Sequence, residues 1–352
     1  MDREYHNIII RMPNWLGDAV MATPIIADIR KKWPEASLTA MCMNSLTPLL
    51  LGNPHLNEIF SFSQPNEFQR KQKNRHMIER LRQGKYDLGV LLTNSFSSAW
   101  GFWRGRVQTL VGFAHDARSL LLTYPVTFPK EREKQHLVMT YKSLLQPLGI
   151  ALSDTSPSLY VMEEERAIAE TILKQHSVPE GAQIVGVNPS AAYGPAKCWL
   201  PERFRSVTEK LLQDPQIYIL YFGDKTNSFA VQKICHDLPK RVINLAGTTN
   251  LRELIALIER CNVFLTNDSG PMHIAAALKK RLIALFGSTN EITTGPYQHG
   301  KVIHKHAPCS PCYRRVCPID FKCMKQIGVD EVTTALLKEL KRPLHNLGSV
   351  EK

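Results

Sequence analysis

The sequence predicts an α/β protein made of two doubly wound domains. Three observations carry that reading. Short apolar runs bounded by turn residues alternate with stretches of helical spacing. The runs are continuously apolar, as in parallel strands covered on both faces. The alternation also passes through two full cycles in 352 residues, a length at which one core normally gives way to two.

The elements follow in order. Ile8–Arg11 is the first strand. A helix is expected from Asp18 to Trp33, with Ala22, Ile25, Ile26 and Ile29 as its buried stripe. "SLTAMCM" and "YDLGVLLTN" are further strands. Ser, Thr, Asp and Pro cluster near residues 150–160, which sets the domains at 1–157 and 158–352. The second cycle has strands at "IVGVNPS", "IYILYFGD", "VINLAG", "VFLTNDSG" and "LIALFGS". Its helices lie near Pro201–Leu212, Thr226–Leu238, Leu251–Arg260 and Val329–Leu340, the last expected to pack back on the N-terminal domain. Two such domains facing each other leave a cleft at the carboxyl ends of their strands, where doubly wound sheets bind ligands.

Composition narrows the class. Hydrophobic residues make up 43% and charged residues 22%, which suits a soluble globular chain. No apolar run is long enough for a membrane span. A polar start running straight into a strand argues against a signal peptide, so the cytoplasm is the expected compartment. There, eight cysteines are thiols or metal ligands rather than disulfides. The net charge of +12 suggests an anionic partner: nucleic acid, a membrane surface or a phosphorylated substrate. Much of the excess is local. Arg70, Lys71, Lys73, Arg75, Arg80, Arg82 and Lys85 face only Glu79. The segment reads either as a solvated helix face or as a patch for an acidic acceptor or membrane.

Four stretches carry chemistry. In "PNWLGDAVMATP", Asp18 follows Gly17 at a helix start, where a carboxylate can cap, although Asn or Ser would cap as well. In "VNPSAAYGPAKCWLPERF" a small-residue loop with Ser190 brings Lys197 to a helix start. In "VFLTNDSGPMHIAAALKK" Asp268 or Ser269 can cap a helix whose first turn suits Gly270 and Pro271. The free N–H groups there favour an anion, and His273 is placed for a phosphate. Together these two loops suit a diphosphate. Asp224, in "YFGDKTN", can either accept from a ribose hydroxyl or build a turn. The fourth stretch gathers Cys309, Cys312, Cys317 and Cys323 within fifteen residues. It reads as a structural zinc site or as a reduced, packed loop, with Arg314 and Arg315 available to an anion. Absent are the dinucleotide fingerprint, the P-loop, the Gly-x-Ser-x-Gly elbow and His-Glu-x-x-His.

Taken together, "RMPNWLGDAVMATP", "VNPSAAYGPAKCWLPERF", "TNDSGPMHIAAALKKRLIALFGSTN" and "PCSPCYRRVCP" resemble the ADP-heptose:lipopolysaccharide heptosyltransferases of glycosyltransferase family 9, most closely type II. The resemblance spans nearly the whole chain. It implies a GT-B fold, two Rossmann-like domains facing across a cleft, with acceptor in the N-terminal domain and nucleotide sugar in the C-terminal one. It implies inverting transfer with no required cofactor or catalytic metal, Asp18 as base and Lys197 neutralising the diphosphate. Gly17, Ser190, Asp224, Asp268, Ser269, Gly270 and His273 line the donor side, and Gly17 also lets the acceptor approach. The partners implied are ADP-heptose and a phosphorylated lipid A–Kdo–heptose acceptor, met by a monomer at the cytoplasmic face of the inner membrane. Arg70, Lys71, Lys73, Arg75, Arg80 and Arg82 then face that acceptor or membrane. The alternatives are type I or III specificity, another nucleotide-sugar enzyme such as an epimerase, or a basic zinc-knuckle protein binding nucleic acid.

Overall fold

Both predicted cycles form parallel sheets. The computed structural model describes residues 3–63 and 70–342. The first cycle runs β1 (Asn7–Arg11), α1 (Leu16–Met21), α2 (Thr23–Lys32), β2 (Ser37–Met43), α3 (Thr47–Leu50), β3 (Glu58–Phe62), α4 (Arg70–Gln83), β4 (Leu88–Leu91), α5 (Phe96–Arg104), β5 (Thr109–Phe113), β6 (Tyr124–Val126) and α6 (Leu137–Ser143). Its six strands lie in the order β3-β2-β1-β4-β5-β6.

The second cycle runs α7 (Glu163–Gln175), β7 (Gln183–Asn188), α8 (Pro201–Leu211), β8 (Ile217–Tyr221), α9 (Ser228–Cys235), β9 (Val242–Asn244), α10 (Leu251–Arg260), β10 (Val263–Asn267), α11 (Gly270–Ala277), β11 (Arg281–Phe286), α12 (Glu291–Thr294), β12 (Lys301–His304), α13 (Lys322–Lys325) and α14 (Val329–Lys341). Its sheet order is β12-β11-β10-β7-β8-β9. Counted from its own first strand, this repeats the order of the first sheet, which is that of the Rossmann fold. The chain divides into two compact units. One is Met1–Glu165 with Ala276–Leu278 and Asn290–Gln298, and the other is Arg166–Ala275, Lys279–Thr289 and His299–Lys352.

Burial explains the legible strands. Ile8, Ile9 and Ile10 in β1, and Val263, Phe264 and Leu265 in β10, are fully covered. α10 is the best-signalled helix. Asn250 accepts from the N–H of Arg252 and Glu253 while Glu253 reaches back to the Asn250 N–H, closing a capping box.

One expectation is corrected. The helix expected over Asp18–Trp33 is two helices, broken at Ala22. Pro24 has no N–H to continue the ladder, and the Thr23 hydroxyl instead donates to the Val20 carbonyl at 2.8 Å. The last helix, α14, packs on α8 and over β10 and β11 of its own unit. Its apolar stripe of Val332, Ala335 and Leu336 joins the core that also holds Trp199 and Phe204. Among the described residues, no helix is long and apolar enough to cross a membrane.

Candidate functional site

Strand order gives the motifs their meaning. In each sheet the winding reverses beside the first strand, between β1 and β4 and between β7 and β10. Loops leaving the carboxyl ends of such a pair diverge and open a crevice for ligand. Gly17 and Asp18 follow β1, Ser190 and Lys197 follow β7, and Asp268, Ser269, Gly270 and His273 follow β10. The candidate residues, apart from Asp224, the basic segment and the cysteine-rich segment after β12, therefore fall at the two reversal points.

In the second unit these loops are bonded to each other. Lys197 Nζ lies 2.5 Å from Asp268 Oδ2, with side-chain exposures of 13% and 3%, so the pair is largely shielded from solvent. The same carboxylate oxygen accepts from the Thr289 hydroxyl at 2.6 Å. Asn188, at the end of β7, donates its amide to the Ser190 carbonyl, to Thr266 Oγ1 and to Ser269 Oγ at 2.9, 3.2 and 3.0 Å. It thereby ties the two diverging loops together. The Ser190 hydroxyl turns back to Asn188 Oδ1 at 3.4 Å. Asn267 Oδ1 accepts from the Trp199 N–H at 2.9 Å, fixing the loop just past Lys197. Gly270 and Pro271 open α11 as expected, and His273 is buried one turn in. Asn188, Thr266, Asn267 and Thr289 were not singled out from sequence; the polar tails of "VNPS" and "VFLTND" after apolar runs were the available signal.

Asp224 stands apart from this cluster. Its Oδ1 accepts from the Thr226 hydroxyl and from the backbone and side-chain amides of Asn227, at 2.6, 2.9 and 2.8 Å. Burial alone would raise its carboxyl, but these bonds outweigh it and hold the group below the ordinary carboxylate range. The turn role is thus occupied.

The cysteine-rich segment braces the Lys197 loop. Ala196 N–H donates to the Arg315 carbonyl at 3.0 Å, and the Tyr193 hydroxyl donates to the Tyr313 carbonyl at 2.6 Å. Gly194 has φ 151°, and a Cβ there would meet the Arg315 carbonyl oxygen at 2.5 Å, so only glycine allows this approach. Lys197 Nζ and the Arg315 guanidinium lie 4.8 and 5.3 Å from the Tyr193 ring centroid. Cys309, Cys312, Cys317 and Cys323 are all free thiols. Burial first, with the three neighbouring thiols adding to it, pushes Cys323 up. Among the described residues, the possible metal-ligand group is Glu291, His304 and His306 rather than these four cysteines.

In the first unit the reversal point is open. Asp18 lies in the first turn of α1 and is half-buried; the N-cap is Trp15, so Asp18 does not cap as expected. Tyr141 is buried nearby. Burial, then the charge of Asp18, drives its phenol well above the ordinary range, so it stays a neutral hydroxyl. A cavity of about 940 Å³ lies over the carboxyl ends of the strands, lined among others by Arg11, Asn14, Phe62, His76, Ser95 and Trp100. Arg11 is buried, bonded to the Met12 carbonyl and to Asn14 Oδ1 at 2.7 Å, and stacked 4.5 Å over Phe62. Burial lowers its guanidinium to about 10, with Cys42 opposing, so it remains a cation at neutral pH.

The basic segment is partly committed to the fold. Arg80 pairs with Glu58 at 2.7 Å and lies 4.0 Å over Phe60, while Arg82 donates to the Arg104 carbonyl at 3.0 Å. Arg75 and Lys85 are exposed. The side chains of Arg70, Lys71 and Lys73 lie outside the described residues.

Two Rossmann-like units of identical strand order on one chain define the class of the GT-B glycosyltransferases. The model of Glycosyltransferase family 9 (heptosyltransferase) matches residues 74–322, and the chain belongs to that family. It is 28% identical to lipooligosaccharide heptosyltransferase 2 of Campylobacter jejuni over 96% of this chain and 99% of that one. It is 30% identical to the protein of the same name from Haemophilus influenzae, over 82% and 86%. The solved structure of Escherichia coli ADP-heptose lps heptosyltransferase II superposes with a TM-score of 0.79 at 26% identity, covering 95% of this chain and 98% of that one. Membership makes the chain a glycosyltransferase and displaces the nucleic-acid-binding and epimerase alternatives.

Proposed function

We propose that the protein moves a heptose from ADP-heptose to the heptose/Kdo inner core of lipopolysaccharide, as a type II heptosyltransferase. The observation that carries this is the placement of the motifs, in a chain of this family, at the reversal points of two like sheets. The second unit takes the donor. Lys197 and the first turn of α11 at Ser269–Gly270 face the diphosphate, with Arg315 beside Lys197. The first unit takes the phosphorylated acceptor, and the basic α4 segment faces that acceptor or the inner-membrane surface.

In the reaction, an acceptor hydroxyl oxygen attacks the anomeric carbon from the side opposite ADP. Its new C–O bond forms as the bond to the β-phosphate oxygen breaks, and ADP leaves with that electron pair. Asp18 takes the hydroxyl proton. Lys197 and the α11 N–H groups stabilise the charge growing on ADP, which a divalent cation would otherwise do. Transfer in this reading requires no metal.

The test is mass spectrometry of purified core acceptors after incubation with ADP-heptose. The expected result is one added heptose on an acceptor that already ends in heptose. Addition only to an acceptor ending in Kdo makes the enzyme type I, and addition only to a completed diheptose makes it type III. No addition to any of them overturns the reading.

A further inference from the structure

α5 presents an aromatic ladder to solvent. Phe96, Trp100 and Trp103 recur at helical spacing and are 49%, 42% and 50% exposed, while Ala99 and Phe102 between them are buried. The rings stack on one another, Phe96 on Trp100 with centroids 6.1 Å apart and Trp100 on Trp103 at 5.1 Å. A stripe of this kind ordinarily faces a core. Here the core-facing side of the same helix is already filled, leaving a preformed apolar face without a protein partner among the described residues.

Its surroundings are cationic. The Arg104 guanidinium stands 5.9 Å from the Trp100 ring centroid. α5 closes tightly on the basic α4: a Cβ on Gly105 would sit 2.6 Å from Leu81 Cβ, and one on Gly101 would sit 3.1 Å from Met77 Cε. That packing brings Arg82, bonded to the Arg104 carbonyl, to the C-terminal end of the ladder, on a helix that also carries exposed Arg75 and His76. Glu79 is the acid among them. Tryptophan rings flanked by arginines suit the boundary between headgroups and acyl chains, where the ring buries its apolar body and the cations meet phosphates.

We propose that α5, with the cationic edge of α4, docks the protein on an anionic lipid surface. This deepens the proposed function, resting on its lipid-linked acceptor, and names the residues that hold the enzyme where such an acceptor lies. With no membrane-crossing helix among the described residues, attachment through this face is interfacial and reversible.

The experiment is sedimentation of the full chain with phosphatidylcholine vesicles, with and without phosphatidylglycerol. The protein is expected to partition strongly only onto the anionic vesicles. Phe96→Ser and Trp103→Ser should each weaken partitioning about tenfold, while transfer to a water-soluble, delipidated acceptor stays unchanged. Because the rings also contact each other, a second variant keeps them intact: Arg75→Glu with Arg104→Glu should abolish the preference for anionic vesicles. Equal binding by all variants, or no binding by the wild type, overturns the proposal. So does light scattering that shows a dimer broken by the serine variants, which would assign the face to a second copy. Vesicle binding and heptosyl transfer are separate readouts, so loss of one does not count against the other.

Discussion

One strand order, used twice, holds two different kinds of crevice. At the reversal point of the second sheet most of the polar groups are already paired, Lys197 with Asp268, Asp268 with Thr289, Asn188 with Ser190, Thr266 and Ser269, while Asn267 Nδ2 is buried without a partner. The first sheet instead has a cavity of about 940 Å³, lined by residues after β1 and β4 and by β3, α4 and α5, whose buried cation, Arg11, bonds to neutral oxygens among the described residues. Topology thus decides where a ligand goes, while the loop side chains decide what kind it is. A rigid, prepaired cradle suits a small diphosphate common to every turnover. A roomy pocket with aromatic and amide walls suits a bulky glycan.

The comparison can be broken at Asp18 first. Asp18→Asn should lower turnover by roughly 10²–10⁴-fold, the usual scale for a lost general base, and leave ADP affinity intact. Unchanged single-turnover rates would remove Asp18 from the chemistry. Lys197→Ala should lower kcat by about 10²–10³-fold and also weaken ADP binding measured by calorimetry. It leaves the Asp268 carboxylate buried without its cation, so the melting temperature should fall as well, and Asp268→Asn in the same chain should restore part of it.

Asn188→Ala removes the two bonds that join the end of β7 to Thr266 and Ser269, and one within its own loop. It should cost about 1–3 kcal/mol in chemical denaturation and raise the KM for donor more than it lowers kcat. The reverse split would make Asn188 part of the chemistry.

The smallest effect lies in the first unit. His136 Nε2 meets the Gly295 carbonyl at 2.8 Å, and its Nδ1 accepts from the Val138 N–H at 3.2 Å, which fixes the neutral tautomer. Burial, opposed by the Gly295 bond, holds its pKa below 6.5. The unfolded chain therefore takes up this proton first as pH falls. The stabilisation is whole above about 6.5 and drains away until the folded imidazole itself titrates. Melting temperature should drop across that acidic window, and His136→Gln should flatten the drop.

Much of this was legible in the sequence because buried parallel strands are written as unbroken apolar runs, and the loops after "NIII", "IVGV" and "VFL" stood out by contrast. Strand order was not legible, since each strand's neighbours depend on packing between distant segments. The break at Ala22 was missed because the apolar stripe continues through it; Pro24 was the signal that should have stopped the helix. The aromatic neighbours of the basic segment were not legible because they come from a different helix, Phe96–Arg104, brought alongside by Gly101 and Gly105. Thr289 could not have been paired with Asp268 from spacing, as they sit on loops after different strands.

For the proposed donor site, the Lys197–Asp268 pair has one more consequence. An incoming anion meets a lysine whose charge is already answered, so it must outcompete a carboxylate held 2.5 Å away. A singly charged ion gains little from that exchange, while a diphosphate brings a second charge to the α11 amides and prevails. Under the proposed function, the carboxylate would wait as an internal rival to the product, and its return to Lys197 would help to expel ADP. Selectivity by valence and timely release would thus come from the same two side chains.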